Sequence, residues 1–166
     1  MKKIPLDALD IRILSAIQQH GQLSKGRLAE IVNLSPTPCW LRVTKLKNAG
    51  LILGYRGLIR LDKLIDLTRV YMTVSLDSHK KADFERFERR IMSVDEIVEC
   101  SSTGGGCDYV MKLITPSLSY FQQLVEQLLD EDIGIDRYYI YVVTREIKST
   151  TLSLAQLMEL KRREES

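Results

Sequence analysis

The chain has 166 residues, a net charge of +2, three cysteines and two histidines. That length holds one domain or two small ones, and no run approaches the roughly 18 apolar residues of a membrane span, which predicts no membrane partner. The scattered Cys39, Cys100 and Cys107, with His20 and His79 far from them, argue for reduced thiols and against a zinc site, and predict neither a metal nor a cofactor.

The small net charge hides an asymmetry. Residues 1–60 hold 10 Lys/Arg against 3 Asp/Glu, a balance of +7, and residues 61–166 hold 14 against 19, a balance of −5. A basic first third predicts a polyanion-binding domain joined to one that does not touch polyanions. Met1-Lys2-Lys3 runs into Pro5 and Asp7 rather than an apolar stretch, which predicts no leader and a cytoplasmic protein, nucleoid-associated if the basic first third binds DNA.

From the N-terminus, Leu9 to Gln19 predicts a helix with Leu9, Ile13, Ala16 and Ile17 on one face and Gly21 just beyond its end. Ser24 predicts the cap of a second helix that turns Leu28, Ile31 and Val32 inward. A third runs from Pro36 to about Ala49, with Ser35 as N-cap, Pro36 where its missing N–H costs nothing, and Gly50 as the stop. Cys39, Val43 and Leu46 recur at i, i+4 and i+7 as a narrow apolar stripe. Thr37, Arg42, Thr44, Lys45 and Lys47 fall largely off it.

Two short helices, a tight turn and a basic outer face on the second describe a helix-turn-helix DNA reader, with the motif at about residues 25–44. Gly54 and Gly57 are placed to bracket a small β-wing, so residues 1–60 are expected to form a winged helix-turn-helix domain. The expected DNA-contacting residues are Lys25, Ser35, Thr37, Pro38, Trp40, Arg42, Thr44, Lys45 and Lys47. Thr37, Pro38, Trp40, Arg42 and Thr44 are expected near base edges, and Lys45 and Lys47 on phosphates of double-stranded DNA. Two residues keep a structural alternative: Arg42 pairing with Asp10 or Glu30, and Trp40 filling the gap between helices.

Residues 61–67 mix Leu and Ile with Asp62, Lys63 and Asp66 and predict a hinge. The remainder predicts a strand at Thr68–Leu76, a helix at Lys81–Met92, and strands at Ile97–Ser102 and Asp108–Ile114 around Gly104-Gly105-Gly106. Thr115-Pro116 is expected to open a helix bearing Leu118, Phe121, Leu124, Val125, Leu128 and Leu129, and Asp136–Val143 a last strand. The order β-α-β-β-α-β is ferredoxin-like and the whole chain α+β.

The first and last strands are apolar on both faces, with Tyr71 and Thr73 alternating with Val70, Met72 and Val74, and Tyr139 and Tyr141 with Tyr138, Ile140 and Val142. Two helices cover one face only, so the second predicts a homodimer; the alternative is a monomer whose outer Tyr and Thr side chains tolerate water. The tail, residues 151–166, holds Leu152, Leu154, Leu157 and Leu160 before Lys161-Arg162-Arg163, and reads either as a strand plus a short helix on a partner subunit or as a frayed end.

On these residues the chain resembles the Lrp/AsnC transcription regulators, over about residues 6–150. The resemblance rests on Leu9-Asp10-x-x-Ile13-Leu14, Leu34-Ser35-Pro36-Thr37-Pro38-Cys39, Gly50-Leu51-Ile52-x-Gly54-Tyr55, Glu99-Cys100, Gly105-x-x-Asp108-Tyr109, Tyr141-Val142-Val143 and Ile147-Lys148. It implies that residues 68–150 are an effector-binding and oligomerisation domain of the AsnC-type ligand-binding kind. It also implies dimers assembling into octamers, and control by amino acids or related metabolites.

Two departures stand out. Trp40-Leu41-Arg42 and Thr44-Lys45 stand where the family carries Leu-Glu-Arg and further arginines, and Gly106 stands where the family has a carboxylate. Three consecutive glycines leave backbone N–H groups unobstructed for an anionic group, so the effector is expected at the turn, at Ser101, Ser102, Thr103, Gly104, Gly105, Gly106, Asp108 and Tyr109, with Asp108 holding a ligand amine. The missing side chain at Gly106 leaves room for a larger, less cationic, acylated or cyclic amino-acid derivative; alternatively the glycines serve only a tight turn. No P-loop, dinucleotide fingerprint or nucleophile–histidine set is present, so no catalytic residue is expected. The expected function is a sequence-specific regulator reading a palindromic operator; the alternative is a ligand-independent architectural DNA-binding protein.

Overall fold

The computed structural model describes residues 4–164 and divides into two compact units. Residues up to Ile59 and from Lys148 onward form the first, and Arg60–Ile147 the second.

The first unit contains α1 (Ala8–His20), α2 (Lys25–Ile31), α3 (Pro36–Asn48) and, from the end of the chain, α6 (Leu154–Glu164). Asp7 starts α1 with a reciprocal cap: its carboxylate accepts from the Asp10 N–H at 2.8 Å, and the Asp10 carboxylate faces the Asp7 N–H. Ser24 caps α2 by accepting from the Arg27 N–H. Ile13, Ala16, Ile17, Leu28, Ala29, Val32, Cys39, Val43 and Leu46 close the core, so the stripe read from α3 is its buried face.

Three local expectations are corrected here. Ser35 occupies the N-cap of α3, but its hydroxyl accepts no capping bond. Pro38 stands at the third helical position and has no N–H to donate, which leaves the cap half its usual partners. No strand forms between Leu51 and Ile59, and neither Gly54 nor Gly57 takes a positive φ, so the two glycines bracket no β-wing. The tail contains a helix and no strand among the described residues. Its start is pinned to α1 by Gln18, whose side chain donates to the Leu152 carbonyl at 3.0 Å and accepts from the Leu154 N–H at 2.8 Å.

The second unit contains β1 (Thr68–Leu76), α4 (Lys81–Ile91), β2 (Ile97–Ser102), β3 (Tyr109–Thr115), α5 (Leu118–Asp130) and β4 (Ile135–Val142), after a short 3-10 turn at Leu61–Lys63. The four strands form an antiparallel sheet in the order β2-β3-β1-β4, the ferredoxin-like arrangement. Val70, Met72, Val74 and Leu76 alternate inward on β1 and meet Tyr109, Met111 and Leu113 of β3. Phe87 and Ile91 of α4 and Phe121, Leu124, Val125 and Leu128 of α5 cover that face. Truncating the fully buried Phe87 to alanine would cost about 3–5 kcal/mol.

The second helix of this unit starts later than Thr115-Pro116. Thr115 is buried as the last residue of β3, and the cap is Ser117, which accepts from the Tyr120 N–H at 3.1 Å. Leu118 and Leu129, expected on its apolar face, are exposed. Among the described residues, no helix is long and apolar enough to cross a membrane.

Candidate functional site

The turn into α3 is compact because Asn33 adopts φ 52°, a conformation asparagine tolerates, and Leu34 returns its N–H to the Ala29 carbonyl at 2.9 Å. Burial of Cys39, Val43 and Leu46 fixes the rotation of α3 about its axis. It also pushes the Cys39 thiol above its ordinary pKa. At 100° per residue, the direction opposite that stripe is occupied by Thr37, Leu41, Thr44 and Asn48, with Pro38 and Lys45 beside them; all six are exposed. None is acidic.

Lys25, Trp40 and Lys47 form a lateral cluster. Trp40 is half-buried against the core, with the Lys25 Nζ 4.3 Å from its ring centroid and the Lys47 Nζ 5.6 Å away. Lys47 also lies 5.3 Å from the Tyr55 ring. Trp40 thus fills the gap between helices and serves as a platform for cations, to the side of the outer face rather than at its centre. Ser35 is exposed at the start of the helix.

Arg42 departs from its expected place at base edges. Its Nη1 donates to Asp7 at 2.6 Å and to the buried Asp10 carboxylate at 2.7 Å. Asp7 lies below the usual carboxylate range because it accepts the Asp10 N–H and then because it faces the guanidinium. Arg42 is shifted upward in return, by Asp7 first and then Asp10. Of the partners read for it, Asp10 is the one engaged; Glu30 pairs with Arg27. Thr44 bonds locally, its hydroxyl donating to the Trp40 carbonyl at 3.0 Å.

Leu41 is the residue the polar and basic reading of α3 passed over. Its side chain is 66% exposed at the centre of the outer face. The signal was available: Leu41 lies two residues from both Cys39 and Val43, hence nearly opposite the stripe they define.

In the second unit, the Thr103–Asp108 turn closes on itself. The Thr103 N–H donates to the Asp108 carbonyl at 2.8 Å, and the Thr103 hydroxyl donates to the Cys107 carbonyl at 2.7 Å. Gly105 has φ 140°, a conformation essentially restricted to glycine, whereas Gly104 and Gly106 have open space where a Cβ would stand. Among the described residues, the N–H groups of Gly104, Gly105 and Gly106 enter no backbone hydrogen bond. Ser101, Ser102 and Thr103 are exposed beside them.

Asp108 and Tyr109 do not join that exposed group. Asp108 accepts the Leu76 N–H at 2.8 Å and faces the His79 Nε2 at 3.0 Å, so its carboxylate ties the turn to the end of β1. Tyr109 points into the core, where its hydroxyl donates to Glu88 at 2.7 Å and its ring stacks at a tilt on Phe87. Burial, and then Glu88, push its hydroxyl pKa upward.

The sheet face turned away from the helices carries Tyr71 opposite Tyr141 and Thr73 opposite Tyr139, and the three tyrosines are exposed. Among the described residues, no three His, Cys, Asp or Glu side chains gather in a way that would hold a metal ion.

Comparison with known proteins gives the same two parts. Residues 6–52 match the family model for a winged helix-turn-helix DNA-binding domain, and residues 69–153 match that for the Lrp/AsnC ligand binding domain. The chain is 37% identical over 150 residues to the transcriptional regulatory protein DoeX of Halomonas elongata, covering 90% of this chain and 95% of that one. It is 33% identical over 145 residues to the leucine-responsive regulatory protein of Escherichia coli K12, covering 87% and 88%. Among solved structures, the transcriptional regulator NMB0573 of Neisseria meningitidis in complex with L-Met superposes with a TM-score of 0.83 at 30% identity, covering 92% of this chain and 99% of that one.

Proposed function

The chain belongs to the Lrp/AsnC family of transcriptional regulators, and from that premise we propose that α3 enters the major groove of a palindromic operator, two copies acting about a two-fold axis. The observation that carries this reading is the outer face of α3. It is exposed, free of acidic side chains and flanked by Lys25, Lys45 and Lys47, while its opposite face is locked into the core. Thr37, Pro38 and Thr44 stand near base edges, Ser35 faces a phosphate, and the lysines supply the sequence-independent attraction. Arg42 sets the orientation of α3 through Asp7 and Asp10 and is not a base contact.

The homodimer forms through the outer sheet face and assembles further, to an octamer. The effector is an amino acid or a derivative of one, as in the relative crystallised with L-Met. It docks by an anionic group on the N–H groups of Gly104–Gly106, with Ser101, Ser102 and Thr103 at its edge. The protein works in the cytoplasm on the nucleoid and has no catalytic role. Selection of duplexes from a random library by the full chain tests the reading. Enrichment of an inverted repeat with half-sites about one helical turn apart supports it. Binding with no sequence preference would favour the architectural alternative.

A further inference from the structure

The reading face of α3 offers DNA an unusual set of side chains. Arg42, the one arginine in the helix, has its Nη1 committed to Asp7 and Asp10. Thr44 spends its hydroxyl proton on the Trp40 carbonyl. What stands at the centre of the face is Leu41, an exposed apolar side chain with Pro38 one turn earlier beside it and Thr37, Thr44 and Lys45 around it.

A helix that docks in the major groove meets four base-pair edges, and only the thymine C5-methyl is apolar. Placing Leu41 against any other edge would desolvate a donor or acceptor with nothing to pair it. Placed on a thymine methyl, the leucine loses its own water contact and covers an equally apolar group. The charge pattern calls for a polyanion and the helix-turn-helix match makes it duplex DNA: Lys45 is exposed beside Leu41, Lys25 and Lys47 lie to the side of the same helix, and residues 1–60 carry an excess of seven positive charges, 10 against 3.

We infer that Leu41 is a specificity-determining residue that reads a thymine methyl in each half-site. The inference rests on the docking of α3 proposed above. It makes the operator demand a thymine at one fixed position per half-site, with the discrimination set by hydrophobic contact rather than by hydrogen bonds.

The test uses the full chain and a duplex it selects from a random library. Each thymine of that duplex is replaced singly by deoxyuridine, which removes the methyl and leaves the pairing intact. Wild-type protein should lose about fourfold in affinity at one position per half-site, the worth of one buried methyl group. Leu41→Ala should bind the thymine duplex more weakly and show no difference between thymine and uracil there. Because Leu41 is exposed, this variant should retain the wild-type melting temperature. Indifference of the wild type to every replacement, or an unchanged penalty in Leu41→Ala, overturns the inference, as does a selection that enriches no sequence. Lys45→Ala on the same duplex separates the two levels. If it weakens binding while Leu41→Ala shows no coupling, α3 docks but Leu41 does not read a methyl. If neither variant alters binding, the docking of α3 fails with it.

Discussion

The guanidinium of Arg42 lies 2.7 Å from the carboxylate of Asp10, a residue 32 positions earlier that is almost wholly removed from solvent. This contact ties α3 to the start of α1, and the same Asp10 completes the reciprocal cap with Asp7. Asp10→Ala should destabilise the folded protein by about 1–3 kcal/mol, since it removes an acceptor from a charged donor and half a cap. Arg42→Ala should lower the melting temperature and weaken specific and random DNA by the same factor, because it disturbs how α3 is held rather than any one base contact. Denaturant unfolding and binding titrations check both. Loss confined to the selected operator, with stability intact, would return Arg42 to the base edges.

Much of the chain was legible in its sequence. The alternation of Val70, Met72 and Val74 with Tyr71 and Thr73 identified β1 and its two faces, and the Cys39–Val43–Leu46 spacing fixed which side of α3 is buried. What was not legible depended on contacts between distant residues. Nothing near Arg42 announces Asp7, and nothing near Asp108 announces the Leu76 N–H or His79. Tyr109 adjoins the glycine turn in sequence, yet the period-2 alternation of β3 sends it inward while the turn stays outside. The wing failed for a related reason: glycines permit a tight turn but do not create the paired strands that would use it.

Lys45→Ala should weaken binding to selected and random duplexes alike and flatten the dependence of log K on log salt by about 0.9, the release of one phosphate's counterions. Titrations between low and moderate salt measure it. A loss restricted to one sequence, with the slope unchanged, would make Lys45 a base reader.

Tyr139→Glu should dissociate the proposed homodimer. Tyr139 stands opposite Thr73, on the same face as the Tyr71–Tyr141 pair, so a carboxylate there would be buried without a partner when two sheets close. The dissociation constant should rise by about a hundredfold or more, while circular dichroism stays native because the residue is exposed in the single chain. Sedimentation velocity decides it, and an unaltered dimer would place the interface on another surface.

Tyr109 gives the second unit an alkaline limit. Its folded pKa is raised above the ordinary tyrosine value of 10.0, first by burial and then by Glu88. A group raised on folding contributes stability fully below its unfolded pKa, and that contribution drains away as pH climbs from there toward the folded value. Unfolding free energy should therefore fall above about pH 10, where the unfolded chain releases this proton and the folded chain keeps it. Tyr109→Phe should cost about 1 kcal/mol at neutral pH, where the bond to Glu88 is lost, and should lose less stability between pH 9.5 and 11. Urea titrations across that range compare the two. Parallel declines in wild type and variant would assign the limit to other groups.

The turn beside Tyr109 makes a sharper forecast about the effector. Gly106 has open space at its Cβ position and no positive φ, so Gly106→Asp should fold as well as wild type. It should nevertheless repel a ligand whose carboxylate sits on the Gly104–Gly106 N–H groups. Asp108 should behave in the opposite way. Its carboxylate is occupied by the Leu76 N–H and His79, so Asp108→Ala should cost stability while Asp108→Asn, which keeps an acceptor for Leu76, should cost little. Since a ligand raises the melting temperature only by binding the folded form, a thermal-shift series with free amino acids and their N-acylated or cyclised derivatives reports occupancy directly. The expected pattern is a shift in wild type, a comparable shift in Asp108→Asn and none in Gly106→Asp. A shift that survives Gly106→Asp but disappears in Asp108→Asn would restore Asp108 as the partner of a ligand amine. A shift that survives both would locate the effector away from the turn, leaving its glycines the single task of letting Gly105 reverse the chain.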